Sequence, residues 1–253
     1  MNRRPFLCLL LLLTLLMSGR TQPTEDGLKK AAEVVNDYYR MLNLESICAD
    51  SILFIDSRIV HRGSTDTLHM LRWIAPGQRM RIEFTADDTL QRCYFSDGRH
   101  IYEEYDPEKN GWRSINGDTY HDAVDRYDYR GPLFQWQLRG LDLIYEEPIT
   151  FEGVPAERVS THHPEQYDRH YFFERASRLL FMYTESDSIG GKPPTLPPRG
   201  RVDWHAYHEY QPIGNAMLPS VESYQYQGII TIIFNTIRYV RYDERLFTER
   251  KRP

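Results

Sequence analysis

The sequence predicts a mainly β protein of the α+β class, one long meander of about a dozen antiparallel strands curled around helices. Three observations carry that prediction. After residue 50 apolar and polar residues alternate through most of the chain, the period of a strand with one face buried. Turn residues part these runs at short intervals, as at Arg62-Gly63-Ser64, Ala75-Pro76-Gly77 and Asp97-Gly98, and short strands joined by tight turns pair antiparallel. Eighteen tyrosines and four tryptophans, within an aromatic content of 13%, suit half-wet strand faces better than a helical bundle.

The first residues read as an export signal. Arg3 and Arg4 precede an apolar run from Phe6 to Met17, followed by Ser18 and Gly19. That is the layout of a secretory signal peptide, and the run is shorter than the roughly 20 residues of a spanning helix. The expected division is a signal peptide over 1–19, cut after Gly19 or alternatively Thr21, and a single domain over 20–253. Cys8 lies inside the apolar run and no cysteine occupies the cut, so no lipid anchor is expected. Cys48 and Cys93 then remain, either as a disulfide or as two buried thiols. A formal charge of −5 and a pI near 6.0, without a basic stripe, argue against nucleic acid as a partner.

Residues 24–42, "TEDGLKKAAEVVNDYYRML", form an amphipathic helix with Leu28, Ala31, Val35, Tyr38 and Leu42 on its buried stripe. Thr24 can cap it, and Glu25 and Asp26 suit the positive end of its dipole. Five strands follow. In "RMRIEFTA", Met80, Ile82 and Phe84 face one way and Arg79, Arg81 and Glu83 the other. The rhythm breaks over 117–140, where Tyr120, Val124 and Tyr127, and then Phe134 and Leu138 around Trp136, have helical spacing. Two short helices separated by Gly131-Pro132 are expected there. Four strands, a flexible Pro-rich loop over 186–200 and three last strands complete the chain. The final strand, "IITIIFNTIRYV", is apolar on both faces, which predicts cover on both.

No catalytic signature is present: no phosphate-binding loop, no G-x-S-x-G, no C-x-x-C and no H-E-x-x-H. His205 and His208 are three apart, which on a helix would share a face. Alternation through Val202, Trp204, Ala206, His208 and Tyr210 makes the segment a strand, so the two rings diverge and hold no metal. His162, His163 and His170, near Asp168, are read as a wet hairpin end rather than a metal site.

The order of these segments resembles the outer-membrane lipoprotein-sorting family, the LolA/LolB-like periplasmic carriers of Gram-negative bacteria. The helix ending "YYRMLNLESI" is similar to that family's start, and "APGQRMRIEF" to its strand opened by a Pro-Gly turn. "YFSDGRHIYEEY" resembles its Asp-Gly hairpin, with Trp112 following, and "FEGVPAERV" its hairpin carrying Gly153 and Ala156. "EYQPIGNAMLPSVESY" resembles its late turn through Gly214, Leu218 and Pro219, and "DERLF" its closing segment through Leu246 and Phe247. The matches run in order over most of residues 28–247. The chain departs from the family in its long Pro-rich loop.

The resemblance implies an unclosed antiparallel barrel of about 11–12 strands, with an N-terminal helix and lid helices over an apolar cavity. It implies a periplasmic protein that binds lipoprotein acyl chains or other hydrophobic cargo, works with envelope transport proteins and needs no cofactor, metal or catalytic residue. On that reading Met80, Ile82, Phe84 and Trp204 line the cavity, and Phe134, Trp136 and Leu138 cover it. For the family's lid-latching arginine, Arg79 and Arg81 are the candidates. A non-catalytic envelope module with a filled interior is the alternative.

Overall fold

The computed structural model describes residues 25–46, 51–65, 67–87, 89–96, 101–106, 111–114, 128–163, 167–189 and 203–248. The signal-peptide segment, Cys48, the Asp97-Gly98 turn, the first of the two expected short helices and the Pro-rich segment after Ile189 lie outside these residues.

Helix α1 spans Glu25–Leu42 and buries Ala31, Val34, Val35, Tyr38 and Leu42. Leu28, expected on that stripe, is instead exposed, and Val34 takes part in the packing. Asn43 follows at φ 47, the left-handed conformation that ends a helix. Its side-chain amide donates to the Asn215 carbonyl at 2.9 Å and ties the helix end to a distant turn.

Among the described residues thirteen strands follow in one antiparallel sheet. They are β1 (Ser51–His61), β2 (Thr67–Ile74), β3 (Met80–Ala86), β4 (Thr89–Ser96), β5 (Ile101–Asp106) and β6 (Gly111–Ser114), then β7 (Asp142–Phe151), β8 (Val154–His162) and β9 (Tyr167–Glu174). The last four are β10 (Leu180–Ile189), β11 (Trp204–Ile213), β12 (Ala216–Tyr226) and β13 (Ile229–Arg241). The spatial order is β6-β5-β4-β3-β2-β1-β13-β12-β11-β10-β9-β8-β7. Two meanders are thus joined by the β1–β13 pair, and among the described residues β6 and β7 end the order without pairing to each other, so the barrel is unclosed. Sequence reading missed β6, whose four residues are too few to show a period. It also ended β10 too early, at Ser186: Asp187 to Ile189 continue the strand, and Ile189 pairs with Tyr167.

The concave face holds the core. Helix α1 packs there against β7, β8 and β12. The expected second short helix is a chain of turns, because Gln135 at φ 52 breaks the helical path. Leu133 is fully buried, and Phe134 meets Tyr39 edge-on with ring centroids 6.1 Å apart. Beneath them Arg130 and Asp128 form a buried ion pair, with the guanidinium 4.1 Å from the Phe134 ring.

The convex face is covered only in part. Short helix α2 (Arg245–Thr248) lies on β3. Arg79 donates to Tyr242 at 2.6 Å and to Glu244 at 2.9 Å, and Arg81 reaches the Leu246 carbonyl at 3.3 Å. These two arginines, the candidates for a lid latch, thus hold the C-terminal segment on the convex face. Cys93, Phe95 and Tyr105 form a small second core on the same side, with Trp112 packed against it. Cys93 is a free thiol there, and burial pushes its pKa up to about 12. The outer face of β13 is not covered as expected. Phe234 is 38% exposed, with the Arg58 guanidinium 4.7 Å from its ring, so a cation takes the place of a covering layer.

Candidate functional site

A cavity of about 290 Å³ opens on the concave face, away from α1. Its apolar walls are Ile59, Leu68, Met70, Phe84 and Ile233, brought together by register. Ile59 lies opposite Leu68 on β2 and Ile233 on β13, and Met70 lies opposite Phe84. The mouth is at the sheet end where the β1–β2, β3–β4 and β12–β13 hairpins turn. His61, Gln91, Arg92 and Tyr226 stand at this rim. The register of β3 and β4 shifts there: Phe84 pairs with Arg92 and Thr85 with Leu90, leaving Gln91 as the extra residue of a bulge. Both Gln91 and Arg92 reach the mouth because of it.

The floor is polar. Arg72 shares the inward row of β2 with Leu68, Met70 and Ile74, and is buried. One Nη donates to Ser57 Oγ at 3.1 Å, and Ser57 donates to Asn235 Oδ1 at 2.6 Å. Asn235 Nδ2 donates to Glu222 Oε1 at 2.8 Å, and Glu222 Oε2 lies 3.0 Å from His205 Nε2. The chain ends at Tyr183, whose hydroxyl is 3.5 Å from His205 Nδ1, the outer limit of a hydrogen bond. His205 also stacks on Tyr207, with centroids 4.5 Å apart and planes at 18°.

This belt crosses β2, β1, β13, β12, β11 and β10. It divides the interior into the open apolar cavity on one side and the core under α1 on the other. On the α1 side a chamber of about 30 Å³ is lined by Arg72, Asp128, Tyr129 and Glu222, wide enough for a water molecule. Arg72 Nε and the Tyr129 hydroxyl have no hydrogen-bond partner among the described residues.

Burial alone would raise the Glu222 carboxyl. The hydrogen bond and charge of His205, helped by Arg72 and Asn235, outweigh it and hold the pKa below its ordinary value of 4.5. A folded-state pKa below the unfolded one contributes stability that is present above the unfolded value and lost as pH falls through the folded one. The urea midpoint should therefore stay level from neutral pH down to about pH 5 and fall below about pH 4.5. Glu222→Gln should remove part of that acid limb. An acid limb identical in the variant would show that Glu222 does not feel the belt.

Of the residues expected at the cargo site, Phe84 lines the cavity. Met80 and Ile82 share its face but lie deeper, with no exposed surface. Trp204 is a correction. Its neighbour His205 faces the cavity, so alternation turns Trp204 to the convex side, where Nε1 donates to Gln225 at 3.3 Å. Leu138 is a second correction, at 82% exposure. Phe134 and Trp136 pack over the α1 core and are not part of the cavity wall. The sequence reading overlooked Arg72, Glu222 and Asn235 because polar residues were assigned outward. The signal was present in β2, where Leu68, Met70, Arg72 and Ile74 share one parity.

The two histidines of β11 diverge as expected: His205 is buried, while His208 is exposed and bonds Ser223 Oγ at 2.9 Å. His162 pairs with Asp168 at 2.6 Å and His170 with Glu146 at 2.9 Å, in separate pairs. Among the described residues no group of three or more His, Cys, Asp or Glu could hold a metal ion. No helix among them is long and apolar enough to cross a membrane.

No family model matches the sequence, and no curated protein matches it. Solved structures do match the fold. A LolA superfamily protein from Nitrosomonas europaea superposes with a TM-score of 0.58 at 8% identity, over 87% of this chain and 97% of that one. A domain proposed to be an outer membrane lipoprotein-sorting protein, from Vibrio parahaemolyticus, gives 0.56 at 10% identity, over 88% and 97%. A DUF1329 family protein from Desulfovibrio piger gives 0.55 at 14% identity, over 90% and 98%. The chain has a LolA-like fold: a curled antiparallel sheet, left open, with a helix in its concavity.

Proposed function

We propose that the protein is a non-catalytic carrier of the Gram-negative envelope that binds lipoprotein acyl chains or another hydrophobic cargo in its concave cavity. The observation that carries this reading is the cavity itself, an apolar pocket open at one rim of the unclosed barrel. Each buried methylene contributes about 0.8 kcal/mol, so ten of them offset roughly the 8 kcal/mol of a micromolar complex before ordering costs. The fold shared with a domain proposed to be an outer membrane lipoprotein-sorting protein supports that class of cargo. Displacement of a fluorescent fatty acid from the purified protein tests it. Saturable uptake is the expected result, and no uptake by folded protein would contradict it.

Export to the periplasm belongs to the same reading. The mature chain should begin near Arg20 or Gln22 and carry no lipid, by mass spectrometry of the protein from its native envelope. An intact Met1 or an acylated cysteine would overturn this. A second reading, an envelope interaction module without cargo, is favoured by how much of the concavity α1, Leu133 and Trp136 already fill. It predicts folded protein that takes up no lipid.

A further inference from the structure

We propose that His205 sets the length of acyl chain that the cavity takes, stopping the methyl end after about a dozen carbons. The inference rests on the carrier reading and deepens it to a class of cargo, chains of medium length.

Among the described residues His205 alone lines both the cavity and the small chamber beyond it. Its ring is fixed in place, with Nε2 3.0 Å from Glu222 and ring centroids 5.3 Å from Tyr183 and 5.8 Å from Tyr224. Those two tyrosines also line the cavity, so the inner end of a bound chain meets the three rings. Depth and volume then give one limit. From Ser57 in the belt to His61 at the rim, β1 covers about 13 Å. An extended chain advances roughly 1.2 Å per bond, so that depth takes about eleven carbons. A cavity of roughly 150 Å³ accommodates the six carbons of benzene, and by that measure 290 Å³ holds about twelve.

Going deeper costs more than it gains. Each added methylene tightens binding about fourfold. To pass the floor, a chain must push the imidazole aside and leave the buried Glu222 carboxylate without that hydrogen bond, a loss of about a hundredfold. One further carbon cannot offset it. A carboxylate head has no reason to lead either, because at the floor it would meet the charge of Glu222 in a low-dielectric interior.

The test is the affinity of straight-chain carboxylates from octanoate to octadecanoate, by displacement of a fluorescent fatty acid. The head is common to the series, so its own contacts cancel. In the wild type, affinity should rise about fourfold per carbon to dodecanoate and then level off, because later carbons stay outside the cavity. His205→Ala removes the stop and opens the chamber, and should move the break about three to five carbons longer. Ile233→Phe instead builds the floor forward. Ile233 lines the cavity one step from Asn235 on the same face of β13, and the larger side chain should bring the break about three carbons earlier. Circular dichroism checks that both variants are folded. If His205→Ala does not fold, the wild type and Ile233→Phe decide. A break that stays at dodecanoate in either folded variant would overturn the proposal, as would a wild type whose affinity climbs unbroken to octadecanoate; each result leaves a carrier. A uniform loss in His205→Ala with an unmoved break would mean that the head, not the methyl end, lies at the floor, and would overturn it too. No binding of any chain by folded wild-type protein would remove the carrier reading together with this one.

Discussion

Ile82→Asp should unfold the protein, while Phe84→Asp should leave it folded and unable to bind an acyl chain. The two side chains lie two residues apart on the same face of β3, so a local effect on the strand would treat them alike. Their surroundings differ. Ile82 is fully buried in the core, opposite Arg72 on β2, and a carboxylate there has no path to bulk water. Losing the isoleucine costs about 2–5 kcal/mol, and desolvating the carboxylate adds several more. The sum is comparable with the whole 5–15 kcal/mol that holds a typical domain together. Phe84 borders the open cavity, where a carboxylate can be hydrated through the mouth. Circular dichroism and fatty-acid displacement on the same two variants separate the outcomes. If Phe84→Asp also unfolds, the cavity is a sealed core; if it binds as before, the cargo does not lie on Phe84.

Glu222→Ala should destabilise the protein by about 3–5 kcal/mol, because it strands a buried guanidinium. Arg72 is 5% exposed and is joined to Glu222 through Asn235 and Ser57. Burial already lowers the Arg72 pKa, and the negative charge of Glu222 opposes that fall. Removing the carboxylate leaves the cation bonded to neutral oxygens, with the more distant Asp128 carboxylate already paired with Arg130. The double variant Arg72→Met with Glu222→Ala should be more stable than the sum of the single losses implies, by at least 1 kcal/mol. Urea unfolding of the four proteins gives the coupling directly. Additive losses would mean that the belt is a set of separate hydrogen bonds rather than one electrostatic unit.

The contrast between these sites shows what the sequence could reveal. Strict alternation in β3 placed Met80, Ile82 and Phe84 on one face, and the structure puts all three inside. Alternation also separated His205 from His208. It fails where chemistry and parity disagree. On β11 the apolar Trp204 and Ala206 suggested an inward face, but the next row, His205 and Tyr207, faces the interior because the belt needs an imidazole beside Glu222. On β13 the exposed Phe234 is satisfied by Arg58 across the ladder, an arrangement that a list of apolar residues cannot display. Helical spacing over Phe134 to Leu138 misled for a backbone reason. Gln135 adopts a positive φ, and the segment turns successively to cap α1 instead of winding as a helix.

The cavity was foreseeable only as a class of feature. Its walls come from strands far apart in the chain, β1 and β2 beside β13, and its mouth depends on the bulge at Gln91. Strand periods do not encode the β1–β13 pairing that joins the two meanders. The Gly214 turn, by contrast, was legible. Gly214 sits at φ 62, and a Cβ there would come within 3.3 Å of the Tyr239 hydroxyl, so a glycine opening that strand has a steric reason.

The most direct test of the carrier account is what the protein holds when taken from a cell. Protein purified without detergent from the envelope fraction should release acyl-bearing lipid on solvent extraction, identified by mass spectrometry, in an amount that Phe84→Asp reduces sharply. Folded wild-type protein that yields no lipid, and that takes none up from vesicles, would contradict the account.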